Sequence, residues 1–141
     1  MQQLHGSYRP SLAILALLLL SGSATATEVW VISDSHNPVT GTHAPDRVIE
    51  LDAPSRLEAQ LSARLPKDPQ QASQRMQQRL AQGGQQLHRR LQNAYQGVTD
   101  AWSLGITAIP AVVVDRRYVV YGEADLDQAL DRVAQYRQEQ P

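Results

Sequence analysis

The chain has 141 residues, 13 lysines and arginines against 14 aspartates and glutamates, and a formal net charge of −1. That balance leaves no basic excess for a nucleic-acid partner, and no basic stripe with interleaved aromatics interrupts it. There is no cysteine, which excludes thiol–disulfide exchange, a structural disulfide and any cysteine-ligated metal.

Residues 1–11 are polar with Arg9 as their one formal charge, and they run into the apolar stretch 12–20. Small residues follow, ending in Ala24, Thr25 and Ala26, a pattern that fits a signal-peptidase site. Residues 1–26 therefore read as a cleaved secretory signal peptide, cut after Ala26, and residues 27–141 as a single periplasmic domain. An uncleaved anchor is the weaker reading, because 12–20 falls well short of the roughly 20 residues that cross a bilayer. No other segment is apolar enough, so no stable membrane span is expected after cleavage.

Residues 28–33, rich in β-branched and aromatic side chains, predict a strand that stops at the turn-formers Asp34, Ser35, His36, Asn37 and Pro38. Residues 39–46, with Gly41 and Pro45, have no period and read as a loop; 47–51 form a second short strand. From Pro54 the pattern turns helical, with Leu57, Leu61 and Leu65 four apart and Pro66 as the stop. Either Ser55 with Glu58 or Asp52 supplies the cap. A second helix opens at Asp68, Pro69 and Gln71 and carries Ala72, Met76 and Leu80 on one face. After Gly83 and Gly84 the stripe resumes as Leu87, Leu91, Ala94 or Tyr95, Val98 and Trp102. The glycine pair costs about 2 kcal/mol of helix propensity relative to alanine, which predicts a kink or break.

Residues 105–110 are a connector, and the continuous apolar run 111–114 reads as a strand covered on both faces. Asp115 and Arg116 form a tight turn into the hairpin partner 117–121, closed by Gly122. Leu126, Leu130, Val133 and Ala134 mark a last helix whose start carries Glu123, Asp125 and Asp127, favourably placed for the helix dipole. Its end frays from Gln138. Alternating strands and helices with a closing strand–strand–helix unit predict an α/β layer fold, a small mixed sheet flanked by helices.

The order of helix, Gly105-Ile-Thr-Ala-Ile-Pro110, hairpin and helix resembles the C-terminal half of the thioredoxin fold. That resemblance implies a cis bond before Pro110 and backbone hydrogen bonds from Ile109 to an extended peptide. A second resemblance spans nearly all of 27–141. It rests on Trp30-Val-Ile-Ser-Asp-Ser-His-Asn-Pro38, Leu51-Asp-Ala-Pro54, Leu65-Pro66, Ala94-Tyr-Gln-Gly-Val98 and Ala101-Trp-Ser-Leu-Gly105. Its most specific string is Ile109-Pro-Ala-Val-Val-Val-Asp-Arg-Arg-Tyr-Val-Val-Tyr-Gly-Glu123. These look like an uncharacterised protein family of integrating conjugative elements, more distantly similar to the pilus-assembly protein TrbC of F-type conjugation. That family often has a lysine where this chain has Ala108. The resemblance implies a periplasmic role beside a conjugative type IV secretion apparatus, with another protein of that machinery as partner.

The thioredoxin comparison places residues 33–36 where a redox pair would sit, and no thiol is present. Ser35 beside His36, with Asp34 and Asp46 near, suggests a hydrolase only superficially. Neighbours in an extended segment point to opposite sides, and no GxSxG elbow is present. His36 and His43, with Asp34 and Asp46, are the outside candidates for a metal, at a spacing that matches no compact motif. His88 belongs to a solvated helix face. Trp30, Tyr95, Trp102, Tyr118 and Tyr121 are expected to be mostly core, with one of Tyr118 and Tyr121 exposed because they face opposite sides of their strand. The expectation is a thioredoxin-like α/β protein without CxxC, catalytic residues or cofactor, that supports conjugative transfer by binding another protein. Its candidate contacts are Ile109, Pro110, Tyr118, Tyr121 and Glu123. The alternative is a periplasmic metal-binding protein or enzyme using the loop from Asp34 to Asp46.

Overall fold

Four short runs of β-branched residues build one sheet. The strands are β1 (Val29–Ser33), β2 (Arg47–Glu50), β3 (Ala111–Val114) and β4 (Tyr118–Tyr121), in the order β2-β1-β3-β4. β1 pairs parallel with β2 and antiparallel with β3, which pairs antiparallel with β4. The three helices are α1 (Ala53–Ser62), α2 (Pro69–Ser103) and α3 (Leu126–Glu139). This computed structural model describes residues 27–140, so the expected signal peptide at 1–26 lies outside the described residues.

The two central strands are buried along their whole length, as their unbroken apolar sequences require. Alternation divides their side chains between two layers. Val29, Val31, Val112 and Val114 meet Leu126, Ala129 and Val133 of α3 on one face. Trp30, Ile32, Ala111 and Val113 meet Ile49 of β2 and Ala101 of α2 on the other. Each valine or isoleucine so buried contributes roughly 1.5–3 kcal/mol. The hairpin between β3 and β4 turns at Asp115 and Arg116, both at positive φ (53° and 54°), as primed hairpin turns require.

The crossover from β1 to its parallel neighbour β2 is a loop, 34–46, where a helix is the usual connection. It is held down rather than loose. Thr40 N–H donates to Ala124 C=O (2.9 Å), and Leu126 N–H donates to Thr40 C=O (2.7 Å). The Asp46 carboxylate accepts from Val29 N–H at 2.7 Å.

α1 ends at Ser62, earlier than the leucine spacing implies, because Arg64 takes a left-handed φ of 53°. Asp52 occupies its N-cap position, yet its carboxylate makes no capping bond. α2 is capped as expected, with Gln71 N–H donating to Asp68 Oδ1 at 2.8 Å. It kinks at Gly84, whose φ of 49° and ψ of −145° are open to glycine alone among ordinary residues. The half of α2 after the kink lies on the sheet through small residues. Gly97 and Ala101 are buried there, and a Cβ on Gly97 would stand 3.1 Å from Ile49 Cγ2. α3 is helical as far as Glu139, one residue beyond Gln138.

Candidate functional site

The register of β1 with β3 pairs Ile32 with Ala111. The end of β1 and the start of β3 therefore share one end of the sheet. The Ile109–Pro110 bond is cis. Pro110 C=O accepts from Gly122 N–H at 2.8 Å, which ties this point to the far end of the hairpin. Neither the N–H nor the C=O of Ile109 takes part in a backbone hydrogen bond among the described residues. Ile109 and Pro110 are half-buried.

The segment after β1 is closed on itself. Asp34 Oδ1 accepts from His36 N–H (2.9 Å), Asn37 N–H (2.9 Å) and the Asn37 side-chain amide (2.8 Å). The Asn37 amide, then the two backbone donors, hold the Asp34 carboxyl below its usual range. The buried Ser33 hydroxyl donates to Asn37 C=O. This is an Asx turn at the end of a strand.

Ser35 and His36 are closer than an extended segment would allow, because the chain turns here: Ser35 Oγ lies 3.3 Å from His36 Nδ1. The order of groups is nevertheless wrong for a triad. The Ser35 hydroxyl donates to Asp52 Oδ2 at 2.5 Å, so the acid holds the hydroxyl instead of orienting the imidazole. That hydroxyl, followed by Ser35 N–H and Arg56, lowers the Asp52 carboxyl. It also explains why Asp52 does not cap α1.

His43 belongs to a different contact. Its ring Nδ1 lies 2.5 Å from Asp127 Oδ1 in the first turn of α3. Asp127 also accepts from Thr42 N–H (2.8 Å), Thr42 Oγ1 (2.8 Å) and His43 N–H (3.2 Å). Thr42 N–H, then the His43 ring and the Thr42 hydroxyl, push its carboxyl far below the ordinary range. Among the described residues no three histidine, aspartate or glutamate side chains converge as metal ligands.

The aromatic residues depart from expectation. Only Trp30 among the five named is buried, 7 % exposed. The guanidinium carbons of Arg47 and Arg116 lie 4.6 and 4.8 Å from its ring centroid, and its Nε1–H donates to Glu28 at 2.8 Å. Tyr118 is half-buried on the α3 face, edge-on to Tyr136 with centroids 6.1 Å apart. Tyr121, on the other face, is exposed, as are Tyr95 and Trp102, the last at 82 %. The i+4 stripe misassigned Tyr95 and Trp102. The helix face that meets the sheet runs through Gly97 and Ala101, small residues that permit close approach. Tyr95 instead reaches α1, donating its hydroxyl to Glu58, whose carboxylate raises the phenol above its usual range. Glu123 is turned inward, ion-paired with Arg132 at 2.7 Å and accepting from Asp125 N–H at 3.1 Å.

A cleft of about 760 Å³ opens between β2, α1 and α2. Two of its three arginines, Arg47 and Arg56, are already matched, with Asp100 for Arg47 and with Glu50 and Asp52 for Arg56, while Arg90 makes no ion pair among the described residues. Sequence reasoning had no signal for the Ser35–Asp52 and Thr42–Asp127 bonds, which join residues far apart in the chain.

A four-stranded mixed sheet in this order, with a cis proline before its third strand and a closing hairpin and helix, defines a thioredoxin-like α/β domain, here without any thiol. Residues 26–139 match the family described as Protein of unknown function (DUF1525), and the chain belongs to that family. No curated protein and no solved structure matches it.

Proposed function

We propose that this protein is a non-catalytic periplasmic accessory protein of an integrating conjugative element, supporting type IV secretion and conjugative transfer by binding another protein of that machinery. The observation that carries the binding part is the free backbone N–H and C=O of Ile109, at the end of the sheet where β1 also ends. An extended segment laid there gains main-chain hydrogen bonds, and half-buried Ile109 and Pro110 supply apolar contact. The absence of cysteine removes the chemistry that a thioredoxin-like site otherwise performs and leaves the peptide-holding geometry. The conjugative setting and the periplasmic location rest on the sequence resemblance and on the signal-peptide pattern of 1–26.

The test is a clean deletion in a donor strain, complemented by the wild-type gene. Transfer frequency should fall and recover, and a pull-down from the donor periplasm should retain a component of the secretion apparatus. Unchanged transfer after deletion refutes the proposal.

A further inference from the structure

β4 is the outer strand of the sheet, and nothing among the described residues pairs with its far side. The bond from Gly122 N–H to Pro110 C=O sets the alternation along the hairpin. The backbone groups of Tyr118, Val120 and Gly122 face β3, while those of Val119 and Tyr121 point outward. The strand itself, Tyr118-Val-Val-Tyr121, contains no proline, lysine or other charge, the usual devices that blunt an edge. The opposite edge, β2, is blunted: it carries Arg47 and Glu50, with Arg56 of α1 bridged to Glu50.

We propose that two copies of this chain pair antiparallel through β4, joining their sheets into one continuous sheet about a two-fold axis at Val120. In this register Val119 of each copy stands opposite Tyr121 of the other, and Val120 opposite Val120. All the outward N–H and C=O groups of Val119 and Tyr121 are then satisfied between chains. A register centred on Val119 instead sets Tyr121 against Arg117, whose N–H is already donated to Val114 C=O. The side-chain pairs suit the chosen register: a β-branched residue against an aromatic on one face, valine against valine on the other.

Charge agrees with this pairing. Arg117, which enters the strand, has no acidic partner among the described residues. The antiparallel register sets it opposite Glu123 of the other copy, just past the strand's end, whose carboxylate is held within its own chain by Arg132 and Asp125 N–H. The helices add area that a four-residue edge lacks. α3 packs on β3 and β4 alike. With strands about 4.8 Å apart, the two α3 axes fall about 10 Å from each other, the spacing at which helices pack. Tyr136, exposed on α3, lies within this region of the fold.

Sedimentation equilibrium of the purified protein tests the idea. A reversible monomer–dimer equilibrium is expected between micromolar and millimolar concentration. Tyr121→Lys, which puts a charge on the edge, should weaken it at least tenfold. Val119→Pro, which removes an outward N–H while sparing the β3–β4 bonds, should abolish it with a native circular-dichroism spectrum. Because the chain has no cysteine, single cysteines report the register. Val120→Cys should cross-link to a disulfide dimer on mild oxidation, since facing residues of a non-hydrogen-bonded pair lie about 4.5 Å apart, whereas Val119→Cys should not. A monomer at every concentration overturns the proposal. So does a dimer indifferent to both edge variants, or cross-linking through position 119 alone. The readout is association of purified protein, separate from transfer in donor cells, so the two proposals fail independently.

Discussion

Asp127 sits at the second position of α3 and holds the crossover loop through Thr42 and His43. A carboxylate whose folded-state pKa is depressed binds fewer protons folded than unfolded, so its contribution to stability rises with pH between the two values. The contribution is complete above the unfolded value of about 3.9 and is lost as pH falls through the depressed one. His43 acts in the same contact. Asp127→Asn should therefore lower the melting temperature at pH 6–7, and the gap to wild type should narrow as pH is taken below about 5. Melting curves across that range check it; a gap constant down to pH 2 would mean that the carboxylate's charge is irrelevant to the clip. Ser35 shows the same economy at smaller scale. Its hydroxyl is committed to Asp52, and the pair fastens the loop to the start of α1.

Gly84 makes a sharper test of an element. In a straight exposed helix, glycine to alanine stabilises by up to about 1 kcal/mol. Here φ is positive and ψ is far from helical, a region that costs a side-chain-bearing residue roughly 1–3 kcal/mol. Gly84→Ala should lower stability to denaturant by about that amount, and a gain would show that α2 runs straight. The kink was readable from the glycine pair because propensity is local. The resting place of the helix was not. Periodicity locates a stripe but not which of its neighbours touches the sheet, and contact fell on Gly97 and Ala101, where small residues let the helix approach β2. The end of α1 was missed for a related reason: Leu65 continues the spacing, but Arg64 has already left helical dihedrals.

At the level of the whole molecule, the sheet and its two covering layers were legible because each central strand is an uninterrupted apolar run and each outer helix carries an apolar stripe. The cis bond before Pro110, at the start of β3, followed from the likeness of the chain's C-terminal half to a known fold. The loop fastenings depend on side chains distant in sequence and left no local trace. The aromatics show most clearly what the core needs. Trp30 fills the layer under α2 and is gripped by two arginines, so Trp30→Ala should cost about 3–5 kcal/mol through the cavity it leaves. Trp102 stands 82 % exposed and contributes little to that layer, so Trp102→Ala should change stability by no more than about 0.5 kcal/mol. Urea unfolding of the two variants separates these outcomes, and intrinsic fluorescence adds a second reading. In wild type the emission should be a sum of a buried and a solvated indole, and Trp102→Ala should remove the red, quencher-accessible part while leaving the shielded part in place. If Trp102→Ala proves as costly as Trp30→Ala, the large side chains of α2 face the sheet after all and the small-residue contact is wrong.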